Sequence, residues 1–267
     1  MRAYGAIFRI RFINGLQYRA AALAGMATQY AWGFMEILAF TAFYRANPAA
    51  FPMSISQTVT YIWMQQAFLA MFFTWFFDGD IFAAITSGSI AYELARPVDL
   101  YSRWFTQNVA NRLSRAVLRC FPILIVAFLL PEPLRMTLPA NGLQFALFLC
   151  SAALALGVVV SFNMLVYIST FYTLNSMGVR ITASVLADFM AGAIVPLPFF
   201  PPAFLKVAEL LPFAAMQNMP LRIYIGDIAG LDALRGMSLQ AFWLLALALA
   251  GRLYIKRALK KVIVQGG

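Results

Sequence analysis

Histidine is absent from the 267 residues, cysteine occurs twice, and Asp, Glu, Lys and Arg together make up only 11% of the chain. The first absence removes the usual proton shuttle near neutral pH and the commonest metal ligand. The second leaves no disulfide framework: Cys120 and Cys150 both lie in apolar runs, where a thiol packs as a small hydrophobe. No Gly-Lys pair occurs, hence no phosphate-cradling loop, and neither H-E-x-x-H nor G-x-S-x-G is present. No catalytic set, metal site or cofactor site is therefore expected within this chain.

What remains is apolar. Hydrophobic residues make up 63% of the sequence and mean hydropathy is +0.78. Several stretches approach the ~20 residues that cross a bilayer as a helix, so the composition is that of an all-α, polytopic membrane protein. Its length accommodates about six spans with short loops and no separate soluble domain of ~100 residues. We expect one transmembrane unit over 1–267. Its parts are an interfacial segment at 1–19 and spans at 20–44, 57–77, 106–130, 142–170, 176–195 and 237–254. Arg2, Arg9 and Arg11 punctuate the first segment, whose amphipathicity is imperfect because Arg11 falls among Tyr4, Ile7 and Phe8. The run after it lacks a small-residue cleavage pattern at the usual distance, so the N-terminus is expected to be retained.

The net charge of +10 invites a nucleic-acid partner, but 15 of the 20 basic residues fall in four short segments that flank apolar runs. Positive-inside topology explains that distribution without a polyanion, and it puts both termini in the cytoplasm. Glu36 and Asp188 are the only acids within these spans. Such a group is costly unless neutralised, paired or wet. Each is either a substrate or proton contact, or a structural group, with Glu36 near an interface and Asp188 paired with Arg180 or with a neighbouring helix. Trp63, Phe68, Phe72, Phe73, Trp75, Phe76 and Phe77 crowd the second span. They read first as a lipid-facing belt, with an apolar lining for an amphiphile as the other reading. Ala21/Gly25 and Gly157/Ser161 are small-residue pairs suited to close helix contacts.

Two segments depart from simple spans. DIFAAITSGSIAYELARPVDLYSRW, 80–104, is a polar break placed in the cytoplasm. There Asp80 can cap a two-turn helix, Ile81, Ile85 and Tyr92 form a stripe, Gly88 offers a stop, and Arg96-Pro97 ends the excursion. An apolar stripe outside the bilayer needs a partner, unless it folds on the protein's own third helix or on headgroups. The second segment carries Pro196, Pro198, Pro201, Pro202, Pro212 and Pro220, which limit it to short helices at roughly 203–211 and 213–224. Helices that short cannot span, so they are expected to dip into the outer leaflet and return.

Taken together, DIFAAITSGSIAYELARPV at 80–98, GAIVPLPFFPP at 192–202, LLPF at 210–213 and PLRIYIG at 220–226 resemble ABC-2 type permeases, the membrane subunits of ATP-binding-cassette transporters. The resemblance covers essentially the whole chain. It implies six helices, a second permease chain, identical or related, and separate ATPase subunits that hold the ATP and Mg. The 80–88 helix would then be a coupling helix seated on the ATPase, with Asp80, Ile81, Ile85, Gly88, Glu93 and Arg96 at the contact and Arg2, Arg9 and Arg11 on the interfacial helix. An exporter in a bacterial inner membrane, in contact with lipid and not with nucleic acid, follows from the same resemblance. The alternative from another class is an ion- or proton-coupled carrier working without ATP. It would call for inverted-repeat halves with matched broken helices and central ionisable groups.

Overall fold

The computed structural model describes residues 2–173 and 176–260. Among them every regular element is helical. The long helices are α1 (Arg2–Leu16), α2 (Arg19–Ala46), α3 (Ile55–Ala67), α7 (Leu100–Leu129), α8 (Gly142–Thr173), α9 (Ser176–Met190) and α12 (Gly230–Leu259); the short ones are α4 (Leu69–Phe72), α5 (Gly79–Thr86), α6 (Ile90–Leu94), α10 (Pro202–Leu210) and α11 (Asn218–Tyr224). An all-helical chain is consistent with a polytopic membrane protein. By length and apolarity together, α8 and α12 qualify as membrane-crossing helices.

α8 is the central element, packed by α12, α11, α7, α9, α5 and α4. Its small residues allow that crowding: a Cβ on Gly157 would come within 2.8 Å of Leu244 of α12, so the two helices approach closely there. The opposite face of α12 shows Phe242, Leu245, Leu249 and Leu253 to the surroundings. Only 11% of its apolar window is buried, which suits hydrocarbon and not water.

Helix ends follow local chemistry. Ser54 and Gln57 form a reciprocal capping box at the start of α3. Asp99 caps α7, accepting from the Ser102 amide at 2.8 Å, so this helix starts several residues before the expected 106. At the end of α9 Gly192 adopts φ +78° and the Ala193 amide reaches back to Asp188 O at 2.9 Å. That is a glycine-terminated stop, and it closes the helix earlier than the expected 195. α12 begins at Gly230, ahead of the expected 237, with Asp232 in its first turn and Lys256 and Arg257 in its last, each sign matched to the helix dipole.

The expected span at 57–77 is the main departure. The helix stops at Ala67, resumes for one turn as α4, and from Phe73 to Asp78 the chain is non-helical, with a turn at Thr74–Trp75. The aromatic belt expected there is likewise overturned. Trp63 and Phe72 are buried, the Trp63 indole donates to Leu134 O at 2.8 Å, and of the seven rings only Trp75 is openly exposed. Cys120 is buried as expected, whereas Cys150 lies on the exposed face of α8. α1 packs lengthwise on α7, where Gly15 meets Ser114 so closely that a Cβ would overlap its hydroxyl, and the Tyr4 hydroxyl accepts from the Asp99 amide.

The proline-rich segment forms short helices near the expected positions. Pro196 precedes a single 3-10 turn, Leu197–Phe199, that contains Pro198; Pro201 and Pro202 open α10; and Pro212 lies in the turn that follows it. α11 sits at the end of α8 marked by Gln144, whose amide donates to Ile223 O and Tyr224 O at 2.9 and 2.8 Å. α5 sits at the other end, near Tyr167. At ~1.5 Å per residue these two contacts lie about 35 Å apart along α8.

Candidate functional site

The break after α4 leaves peptide groups inside the bundle without helical partners, and such groups must find others. Arg112 of α7 supplies most of them. Its guanidinium donates to the carbonyls of Ala70 (3.1 Å), Met71 (3.3 Å), Phe73 (2.7 Å) and Phe76 (3.0 Å), and the side chain is buried. A cation at the carbonyl end of a short helix is also electrostatically favoured. Thr74 is held from three sides. Its amide and hydroxyl both donate to Asp188 Oδ1 at 2.9 Å, and its carbonyl accepts from Asn163 Nδ2 at 3.1 Å.

Asp188 is thus anchored to Thr74 across the bundle. Arg180, its expected partner on the same helix, instead lies over the rings of Phe77 and Phe82, 5.4 and 4.9 Å from their centroids. Glu36 accepts a long 3.4 Å hydrogen bond from Gln66 Nε2 and lines a cleft between α2 and α3.

The non-helical segment ends at Asp78, where three elements converge. The Asp78 amide donates to the Tyr167 hydroxyl at 2.6 Å, which in turn donates to Asn108 Oδ1 at 2.9 Å. Asp78 Oδ2 accepts from Gln107 and Asn111 of α7 at 2.6 and 2.9 Å, while Oδ1 caps α5 by accepting from the Asp80 amide at 3.0 Å. The cap is therefore Asp78, not the expected Asp80. Asp80 lies in the first turn and forms an ion pair with Arg11 of α1 at 3.5 Å. Gly88, with φ +75°, follows the last turn of α5, at the position where the sequence offered a stop.

The stripe on α5 is turned inward. Ile81 is 2% exposed and Ile85 is also buried, together with Phe82, in the core that includes Tyr167. The stripe folds on the chain itself, but against α8, the expected fourth span, and not on the third helix or on headgroups. Tyr92 does not share it, being 79% exposed. Glu93 is internally committed as well, paired with Arg103 at 3.0 Å and accepting from the Trp104 indole at 2.7 Å, which pins α6 to α7. The outward face of this corner includes Ala83, Thr86, Gly88, Tyr92, Leu94 and Arg96. Arg2 and Arg9 are exposed on α1 and take no part in the convergence.

Sequence reasoning missed Asp78, Arg112 and the outward Tyr92. Asp78-Gly79-Asp80 offered two possible caps two residues apart, and Arg112 read only as one of several topology-setting charges. No signal in the sequence marks it as a ligand of broken-helix carbonyls.

Two cavities flank the site. One, of about 460 Å³, lies between α1, α7 and the start of α5 and is lined by Arg11, Asp78, Arg115 and Arg119, among others. The second, of about 490 Å³, lies between α2 and α3–α4.

A family described as ABC-2 family transporter protein matches residues 30–266. No curated protein matches the chain.

Proposed function

The chain belongs to the ABC-2 transporter family, and on that premise we propose that it is the permease subunit of an ATP-driven exporter. Membership implies association with ABC ATPase components. In this reading α2, the broken α3–α4, α7, α8, α9 and α12 are six spans, and two permease chains, identical or related, enclose the pathway. Both termini face the cytoplasm of a bacterial inner membrane, and α10–α11 re-enter the outer leaflet. ATP and Mg belong to the partner, and this chain catalyses nothing itself.

The observation that carries the reading is the connection at Asp78. The outward face of α5–α6 is joined, through a residue bonded to both α7 and α8, to the unwound end of α4 inside the bundle. A partner that pushes on this corner pushes on the core. For ATP binding to do work, the ATPase must grip two permease conformations with different affinity, and a corner joined to the interior is where a change in the core would alter the face that the ATPase grips.

The contact face is Ala83, Thr86, Tyr92, Leu94 and Arg96, so Tyr92 and not Ile81 or Ile85 is the residue to change. Tyr92→Glu combined with Thr86→Glu is expected to abolish copurification of the ATPase while leaving the permease monodisperse, because both positions are solvent-facing in this chain. Undiminished ATPase binding by that variant would remove α5–α6 as the docking element. Topology is tested separately, in a background lacking Cys120 and Cys150. Single cysteines at the exposed positions Arg96 and Lys206 are expected to react with an impermeant maleimide from opposite faces of sealed vesicles; labelling from one face would exclude six spans.

A further inference from the structure

Arg119 lies at the junction of the two cavities and lines both. Its guanidinium rests against α2 where Gly25 leaves room, since a Cβ there would come within 2.6 Å of it. Its Nε is buried without an acceptor, and no carboxylate pairs with it among the described residues. Arg115, one turn away, is likewise without an ion pair and rests over the Phe76 ring at 5.6 Å. The acids that share the first cavity are occupied: Asp78 with Gln107 and Asn111, Asp80 with Arg11.

From Arg119 the second cavity runs along α2 to Glu36, a distance of about 16 Å at ~1.5 Å per residue from Gly25. Its inner wall is polar, built from Gln29, Gln65 and Gln66, and the side-chain oxygens of Gln29 and Gln66 are buried without donors. Its rim is apolar: Trp32, Trp75 and Ile194 are exposed. A polar slot behind an apolar rim, charged positive at one end and carrying a carboxylate at the other, suits a molecule with one anionic group at the arginine and hydrocarbon leaving between the rim side chains. The volume matches a headgroup and not a whole lipid.

We infer that the slot between Arg119 and Glu36 binds an anionic amphiphile that enters sideways from the bilayer, with its anionic group on Arg119. The inference deepens the permease reading by naming the class of molecule that the site takes, and it rests on that reading. Trp32 and Trp75 report occupancy directly. The full-length chain is placed in nanodiscs of unlabelled phosphatidylcholine containing increasing fractions of either brominated phosphatidylglycerol or brominated phosphatidylcholine, and tryptophan quenching is recorded.

A charge-assisted contact predicts half-maximal quenching at about a tenfold lower mole fraction of the brominated phosphatidylglycerol. That preference should vanish in Arg119→Gln, survive in Arg119→Lys, and be missing when Trp32 and Trp75 are both replaced by Phe. Equal quenching by the two lipids overturns the inference, and so does a preference that Arg119→Gln leaves intact, which would indicate lipid around the outside of the bundle. Protection of both tryptophans from either lipid overturns it too, in favour of a second permease chain covering the slot. Relief of the preference by inorganic phosphate, with no lipid-specific quenching left, assigns the arginine to a free anion and overturns the amphiphile. ATPase retention is read in a separate pull-down, so loss of lipid selectivity and loss of the permease reading are told apart.

Discussion

Arg112→Met is expected to destabilise the protein more than any other single change at this site. The methionine fills most of the volume but donates to none of the four carbonyls that the guanidinium now serves. Hydrogen bonds from a charged donor are worth about 1.5–3 kcal/mol each. Each buried carbonyl left without a donor costs about 1–3 kcal/mol, so losing even two of the four takes a large share of a total stability of about 5–15 kcal/mol. The variant should give little monodisperse protein on gel filtration and a markedly lower aggregation temperature in detergent. Arg112→Lys should fall between, because an ammonium keeps the charge but lacks the planar fork that reaches Phe73 and Phe76 together. A methionine variant as stable as the parent would show that the break after α4 needs no internal donor.

Asp188 separates structure from transport chemistry. Asp188→Leu removes the acceptor shared by the Thr74 amide and hydroxyl, leaving a buried amide unpaired at a cost of about 1–3 kcal/mol. Asp188→Asn presents an oxygen to the same two donors and removes only the ability to carry a charge. With Asp188 as a structural group, the leucine variant is expected to be poorly folded, while the asparagine variant folds and transports near the parent level in proteoliposomes containing the ATPase. An asparagine variant that folds fully and transports nothing would make Asp188 a proton or substrate site, and would revive a carrier driven by an ion gradient.

The two aspartate readings at this corner show what a sequence alone can carry. Proline positions, apolar runs and Gly88 located α5 and α10 to within two residues and the end of α11, which starts five residues after the expected 213, because these signals act locally through backbone geometry. The break in the second span was not legible, since 57–77 contains neither proline nor glycine. Its cause is tertiary, the carbonyls being received by an arginine on another helix. The inward turn of Ile81 and Ile85 was open for the same reason. Helical spacing shows that a stripe exists, while the neighbour that covers it, here Tyr167 against Phe82 of α5 itself, comes from α8. The aromatic crowd misled because abundance of rings in an apolar run says nothing about which side faces lipid; Trp63 is packed by Tyr30 and Phe34 of α2. Glu93 looked available to a partner only because the indole and guanidinium that hold it were not yet on the same side of the molecule.

α8 is fastened at both ends, by Tyr167 to the Asp78 amide and by Gln144 to the carbonyls of Ile223 and Tyr224. A continuous helix resists compression along its axis, so α8 behaves as a push-rod. On the proposed reading, a stroke delivered at the α5 end would be carried along α8 to the α11 end, so the two ends of the molecule would keep step in place of acting as independent gates.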